Sequence, residues 1–411
     1  MKNNQIEEKQ KRISIAALII LAGFIAAVIH HYNQGYYLLK PFPFNTFLFG
    51  PNDRFMDFCN HMRWPSLNPY SPEKSYQGCY FPFTYILIAF FKFIFNYLYI
   101  YYTLFIYLAI FIIFYVWFIY SYLFKDLRLF SGNVHIADWT NFLIIALLNY
   151  PFLFCIDRGN FECYLFIFMI FFLYYYQKQK YTVSALFLAC ASAMKLYPAF
   201  FMLIFLKEKK YKEFFIFSLT TIVLTVLSLM ILRGGFWVNL ELMTERLNDY
   251  KFKYMLRPEG IRYSSSLYSI FNLAHILRHN IPILNEVPYG IVFFIIGLLI
   301  AVFILFFENE PWKIFTLLTI SIILLPYISG DYKLIHFFIP LVLLINSEEK
   351  TKLTNVYLIL LSLLFIPKAY YFFYGEVSLS VIINPLIMLV ILLLIVAERF
   401  FMKKDRTYAL E

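Results

Sequence analysis

Asp53 and Asp57 stand four residues apart in Asn52-Asp53-Arg54-Phe55-Met56-Asp57-Phe58. On a helix that spacing puts both carboxylates on one face, where they can act on one ligand. A carboxylate so placed can take the proton of an attacking hydroxyl while an oxocarbenium-like centre forms. One such group suffices when the leaving group is a phosphate, which departs without protonation. The competing reading is a pair of solvated loop carboxylates, with Asp53 bound to Arg54 or Arg63. Both residues belong to Asn52–Tyr80, a polar stretch with a further titratable group at His61, set in a chain that is otherwise mostly apolar.

Other groups can serve the same chemistry. Arg158 binds phosphate through a planar fork and Lys195 as a point charge. Lys195 interrupts an apolar stretch, which tolerates a lysine poorly without a partner; the alternative is a side chain that snorkels to the interface. His336 enters an apolar run and can orient a hydroxyl or phosphate, or be a satisfied core histidine. Tyr263-Ser264-Ser265-Ser266-Leu267 offers hydroxyls to a sugar, or caps a helix that begins near Leu267. The sequence has no P-loop, GxGxxG, HExxH or DxD motif, which argues against ATP-driven and nucleotide-sugar enzymes. No zinc spacing is present, and no cofactor or metal is expected. Cys59 and Cys79 share one loop and can pair only if it faces an oxidising compartment.

The elements that must hold these residues are membrane helices. Hydrophobic residues make up 62% of the 411 and charged residues 15%, against about 25% charged in soluble proteins. The expected class is an all-α polytopic membrane protein. The net charge of +10 fits basic cytoplasmic loops rather than nucleic acid. The apolar run Ile13–His31 lacks a small-residue cleavage site and is expected to remain as a span. Placing basic loops inside gives about twelve spans with both termini cytoplasmic, in one domain over residues 1–411. It also gives two long outer loops, 32–97 and 233–286, and the segment Phe81–Phe95 is interfacial or re-entrant. Residues 181–206 form two short arms with a turn at Lys195–Pro198 on the outer side. The same rule puts Asp57, Asp157, Arg158, Lys195, Asp331 and His336 on that side. Charges near membrane depth cost roughly 2.5–3.5 kcal/mol each, so their convergence implies a polar cavity.

The order of short motifs resembles membrane glycosyltransferases of the GT-C fold, most closely glycosyltransferase family 87, the polyprenol-phosphate-mannose-dependent type. Asp57-Phe58 with His61 resembles the family's D-F-x-x-Y segment, with His in place of Tyr. Leu67-Asn68-Pro69-Tyr70 resembles G-x-N-P-Y, with Ser66 where Gly is usual. Tyr80-Phe81-Pro82 resembles Y-P-P, Arg158-Gly159-Asn160-Phe161-Glu162 resembles R-G-N-x-E, and Lys195-Leu196-Tyr197-Pro198 resembles K-x-x-P. Ser265-Ser266-Leu267 is similar to a later serine segment, and His336 falls where an outer histidine is expected. The likeness covers roughly residues 13–345.

The resemblance implies a GT-C fold and transfer of a sugar, mannose by default, from a polyprenyl-phosphate donor to a hydroxyl of a lipid or glycan acceptor. The reaction would invert the anomeric centre on the extracytoplasmic face, in a bacterial inner membrane. It makes Asp57 the catalytic base. Lys195, Arg158 and His336 would hold the donor phosphate. Asp53, His61, Asn68, Tyr70, Asn160, Glu162 and Ser266 would contact acceptor or sugar. Expected partners are the lipid-linked donor, the acceptor and membrane lipids, with no nucleic acid. A flippase for a lipid-linked glycan and a surface-polysaccharide polymerase or ligase are the alternatives. Inverted repeats would favour the flippase, and the sequence shows none.

Overall fold

The structure, a computed structural model, describes residues 2–63, 67–71, 78–95, 99–127, 136–255, 258–277, 289–348, 351 and 353–402. Of the basic residues that set the expected topology, Arg128, Lys350, Lys352, Lys403, Lys404 and Arg406 lie outside them, as do Arg257 and Arg278 of the second outer loop. The described chain is helical nearly throughout. Its one sheet is a two-stranded antiparallel pair, Phe372–Phe373 with Val377–Ser378. Among the described residues five helices are long and apolar enough to cross a membrane: those within Gln5–Tyr37, Ile100–Leu127, Tyr211–Ile231, Tyr289–Phe306 and Ser380–Phe401. Ile136–Leu147 and Tyr150–Arg158 make a sixth if taken as one broken span. The protein is an integral membrane protein. The remaining apolar helices are of 10–17 residues, below the about 20 that a full crossing needs. The twelve crossings expected from hydropathy are therefore not reproduced as twelve full-length helices.

The chain divides into two compact units. One comprises Met1–Phe47, Tyr120–Pro151 and Ile261–Glu411; the other comprises Leu48–Ile119 and Phe152–Gly260. In the first, the long helix Lys2–Tyr32 carries Arg12, whose guanidinium is buried and donates to the carbonyls of Leu344 and Ser347. It thereby satisfies backbone acceptors at the end of helix Phe338–Ile345. Helix Pro311–Leu324 is buried along its length, and its Lys313 pairs with Glu398 at 3.2 Å.

The second unit is organised by a run of antiparallel helices. Glu162–Gln177 packs on Tyr181–Met194, which packs on Tyr211–Ile231. The turns that reverse the chain carry Gln179 and Lys209 at a φ of +57°. The amide after each, on Lys180 and Lys210, reaches back to the carbonyls of Tyr175 and Phe205 and closes the helix end. Helix Tyr181–Met194 stops because Lys195 is extended (φ −149°, ψ 133°). Pro198 then sits in the first turn of the 3-10 helix Tyr197–Met202, where its missing N–H costs nothing. The segment 233–286, expected as a long loop, carries helices Gly235–Met255, Pro258–Ile261 and Leu267–Leu277.

Candidate functional site

Asp57 lies in the first turn of the short helix Met56–Arg63. The next residue anchors it: Phe58 is fully buried, with its ring 4.8 Å from that of Tyr107 and 6.3 Å from that of Phe161. Phe55, which precedes the helix, has a φ of +57°, a conformation that costs an L-residue roughly 1–2 kcal/mol. Its amide donates to the carbonyl of Asp157 at 2.7 Å, which holds the turn in place. The opposite wall is the turn after Arg158. Gly159 has a φ of +59°, and a Cβ there would come within 3.0 Å of the Phe58 side chain. Only glycine lets the Arg158–Asn160 turn approach the Asp57 helix this closely.

The side chains form one connected network. Arg158 grips Asp57 with both Nε (3.2 Å to Oδ2) and NH2 (to Oδ1), and its NH1 reaches Asp53 at 3.0 Å. Its guanidinium also lies 4.0 Å from the Phe49 ring. Asp53 thus pairs with Arg158 rather than with Arg54 or Arg63, and Arg54 lies 3.5 Å from Asp157. Asn160 donates to Asp57 Oδ2 at 2.6 Å. Its side-chain Oδ1 accepts from the Glu162 amide at 2.9 Å and from Lys195 Nζ at 3.3 Å. Lys195 is paired with Glu162 at 2.7 Å, and Tyr197 donates to the other Glu162 oxygen. Lys195 is therefore a buried, paired cation rather than a snorkelling one. Its ammonium also lies 5.0 Å from the Tyr80 ring.

His61 is buried among the rings of Tyr80, Tyr85 and Phe161. Burial pushes its pKa down to about 4, against the pull of Asp57, and the Lys195 charge lowers it further. The imidazole is neutral at physiological pH. Tyr70 is fully buried and spends its hydroxyl on the Tyr80 carbonyl at 2.8 Å, and Asn68 is half-buried beside it in sequence. Cys59 and Cys79 are free thiols.

The structure thus brings together Asp53, Asp57, Arg158, Asn160, Glu162 and Lys195, with His61 alongside. His336 and Ser266 belong to the other unit. His336 is buried in the 3-10 helix Asp331–Phe337. Ser266 accepts from the Ser269 amide at 3.2 Å, which is the capping role, at the start of helix Leu267–Leu277. Sequence reasoning missed Tyr197, Tyr80 and Phe49 as members of the network. Tyr197 and Tyr80 stand inside motifs already singled out, but nothing in those motifs gives a tyrosine ring or hydroxyl a partner.

Chemically, the arrangement offers two carboxylates within reach of solvent, Asp53 at 47% exposed and the more closely held Asp57, backed by buried cations. The Asp57 side chain is 20% exposed, against 12% for Arg158, 10% for Lys195 and 0% for Glu162. A carboxylate has about four acceptor positions. Among the described residues three are taken, two on Oδ2 and one on Oδ1. The second position of Oδ1 is open.

The model of glycosyltransferase family 87 matches residues 79–327, more than half of the chain. That stretch contains Tyr80, Arg158, Asn160, Glu162, Lys195 and Ser266, while Asp53, Asp57 and His336 lie outside it. No curated protein matches the chain significantly.

Proposed function

The chain belongs to glycosyltransferase family 87, and from that premise we propose that it moves a sugar, mannose by default, from a polyprenyl phosphate to an acceptor hydroxyl, with Asp57 as general base. The acceptor is a lipid or glycan on the extracytoplasmic face, and the scaffold is of GT-C type. The observation that carries this reading is the open acceptor position on Asp57 Oδ1, on a carboxylate that Arg158 and Asn160 orient together and that stays 20% exposed. The acceptor hydroxyl donates there. Its oxygen attacks the anomeric carbon from the face opposite the phosphate, so the configuration inverts. The bond from that carbon to the phosphate oxygen breaks, polyprenyl phosphate leaves, and the acceptor proton ends on Asp57.

Arg158 and Lys195 supply positive charge for the donor phosphate. Four carboxylates (Asp53, Asp57, Asp157 and Glu162) face three cations (Arg54, Arg158 and Lys195) in the network. An anionic donor therefore needs one carboxylate to step aside. Asp53, whose side chain is 47% exposed, is the one able to release the NH1 edge of Arg158 to the phosphate. His336 as a further phosphate ligand is proposed on the resemblance alone.

The test is transfer by the purified protein, with radiolabelled polyprenyl-phosphate mannose and a pool of membrane-lipid acceptors. Asp57→Asn should lower transfer by about 10²–10⁴-fold while leaving membrane insertion intact. Wild-type transfer by that variant would remove Asp57 as the base, and lipid scrambling without any transfer would point to a flippase.

A further inference from the structure

We propose that Asn160 is a positioning residue that aims the Asp57 carboxylate, and that Glu162 and Lys195 lock it in that role. This rests on the reading of Asp57 as the base. It departs from the expectation that Asn160 and Glu162 contact sugar or acceptor.

The orientation of the Asn160 amide follows from its neighbours. Its Oδ1 faces the Glu162 N–H at 2.9 Å and the Lys195 ammonium at 3.3 Å. Both are donors only, so an oxygen must face them. The NH2 end must then point the other way, where it meets Asp57 Oδ2 at 2.6 Å. A flipped amide would set its NH2 against an N–H and an ammonium, and its oxygen against a carboxylate. Glu162 makes the lock rigid: its carboxylate holds Lys195 at 2.7 Å and takes the Tyr197 hydroxyl. The backbone is tied too, since Tyr107 donates to the Asn160 carbonyl at 2.7 Å.

Burial separates this role from substrate contact. Asn160 is 2% exposed and Glu162 not at all, whereas the Asp57 side chain is 20% exposed. A substrate can reach the base without reaching the amide behind it. Asn160 and Arg158 Nε together fill Oδ2. That fixes the carboxylate plane and turns the open position of Oδ1 towards an incoming hydroxyl. A misplacement of about 1 Å in such a group costs about 100-fold in rate.

The experiment uses full-length protein in phospholipid nanodiscs, with radiolabelled polyprenyl-phosphate mannose as the probe. Asn160→Ala should lower kcat by about 100-fold and leave the donor KM within about threefold, the pattern of a lost transition-state arrangement. Asn160→Asp is the variant that keeps the shape. It retains an oxygen for the Glu162 amide and Lys195, but sets an oxygen where Asp57 needs a donor. It should fold and lose as much kcat as the alanine variant, whereas a merely structural asparagine would tolerate the change. In the Asp57→Asn background, Asn160→Ala should leave donor affinity unchanged, because Asn160 acts only through Asp57. A raised donor KM with kcat kept, wild-type kcat in Asn160→Asp, or weakened donor binding in the double variant would overturn the positioning role while the base assignment stands. Wild-type turnover by Asp57→Asn alone would remove the base assignment and this role with it.

Discussion

Asp57 in one unit and Asp331 in the other are both carboxylates held by side-chain donors, two side chains at Asp57 and three at Asp331, yet their surroundings are opposite in kind. Asp57 is met by a guanidinium and an amide and keeps a fifth of its side chain exposed. Asp331 is wholly buried and is met by neutral donors: Ser265 Oγ at 2.5 Å, Tyr150 Oη at 3.0 Å and Asn384 Nδ2 at 3.3 Å. Burial raises its pKa above the usual carboxylate range, with the bonds from Ser265, Ser380 and Tyr150 and the Lys368 charge opposing. Its partners come from separate parts of its unit, and its own amide donates to Tyr263 O at 2.8 Å. A carboxylate enclosed by neutral donors is a tie between segments. One backed by cations, with a lone pair facing out, is available for proton transfer.

The sharpest way to break that contrast is to remove each carboxylate in turn. Asp57→Asn should cost about 10²–10⁴-fold in kcat, the range for a general base, with little change in thermal unfolding. Asp331→Ala should do the reverse. It strands three buried donors and should destabilise the fold by about 3 kcal/mol, while the folded fraction turns over normally. Turnover assays beside thermal unfolding in detergent separate the two; loss of kcat in folded Asp331→Ala would make Asp331 part of the chemistry.

The buried Lys195–Glu162 pair tests the same contrast from the cation side. Removing one partner leaves an uncompensated buried charge, so Lys195→Met or Glu162→Gln alone should destabilise by about 3–5 kcal/mol. Changing both together should recover most of that stability. Transfer should stay low in the double variant, because the cation behind Asn160 is gone. Full recovery of both stability and transfer would reduce the pair to packing.

His61 gives a smaller effect that pH reads out. Its folded pKa of about 4 lies below the ordinary 6.5, so between these values the unfolded chain binds a proton that the folded one refuses. Stability should be full above pH 6.5 and fall as pH drops towards 4, by at most about 3 kcal/mol. Unfolding measured across that range should lose this slope in His61→Phe. An unchanged slope would mean that other groups carry it.

Much of the framework was legible because apolar length and basic loops are written locally. The break at Lys195 could be read from a lysine and a proline inside an apolar run, and Asp57 from a carboxylate in the polar segment after the first span. What escaped depends on partners distant in sequence. Arg158 and Asp57 are 101 residues apart, and no spacing rule says that this arginine meets two aspartates before it meets a phosphate. The burial of Asn160 and Glu162 is likewise a property of packing, which their motif does not encode. The number of spans is less legible, because several described apolar helices are shorter than a full crossing and apolar length alone does not say which of them cross.

Ser266 is the smallest test and separates two readings of a serine cluster. Its hydroxyl accepts the Ser269 amide at 3.2 Å, lies 2.7 Å from Ser269 Oγ and donates to Tyr327 O at 2.9 Å. Ser264 joins the ring through Ser269 at 2.6 Å. A hydroxyl that gives its one proton to a backbone carbonyl and caps a helix amide has no proton left to donate to a sugar. Ser266→Ala should therefore cost about 1 kcal/mol of stability, as loss of a helix cap does. The donor KM should stay at its wild-type value. A raised donor or acceptor KM in a variant that unfolds at the wild-type temperature would return Ser266 to the substrate, and with it the contrast between a tied unit and a reactive one would fail.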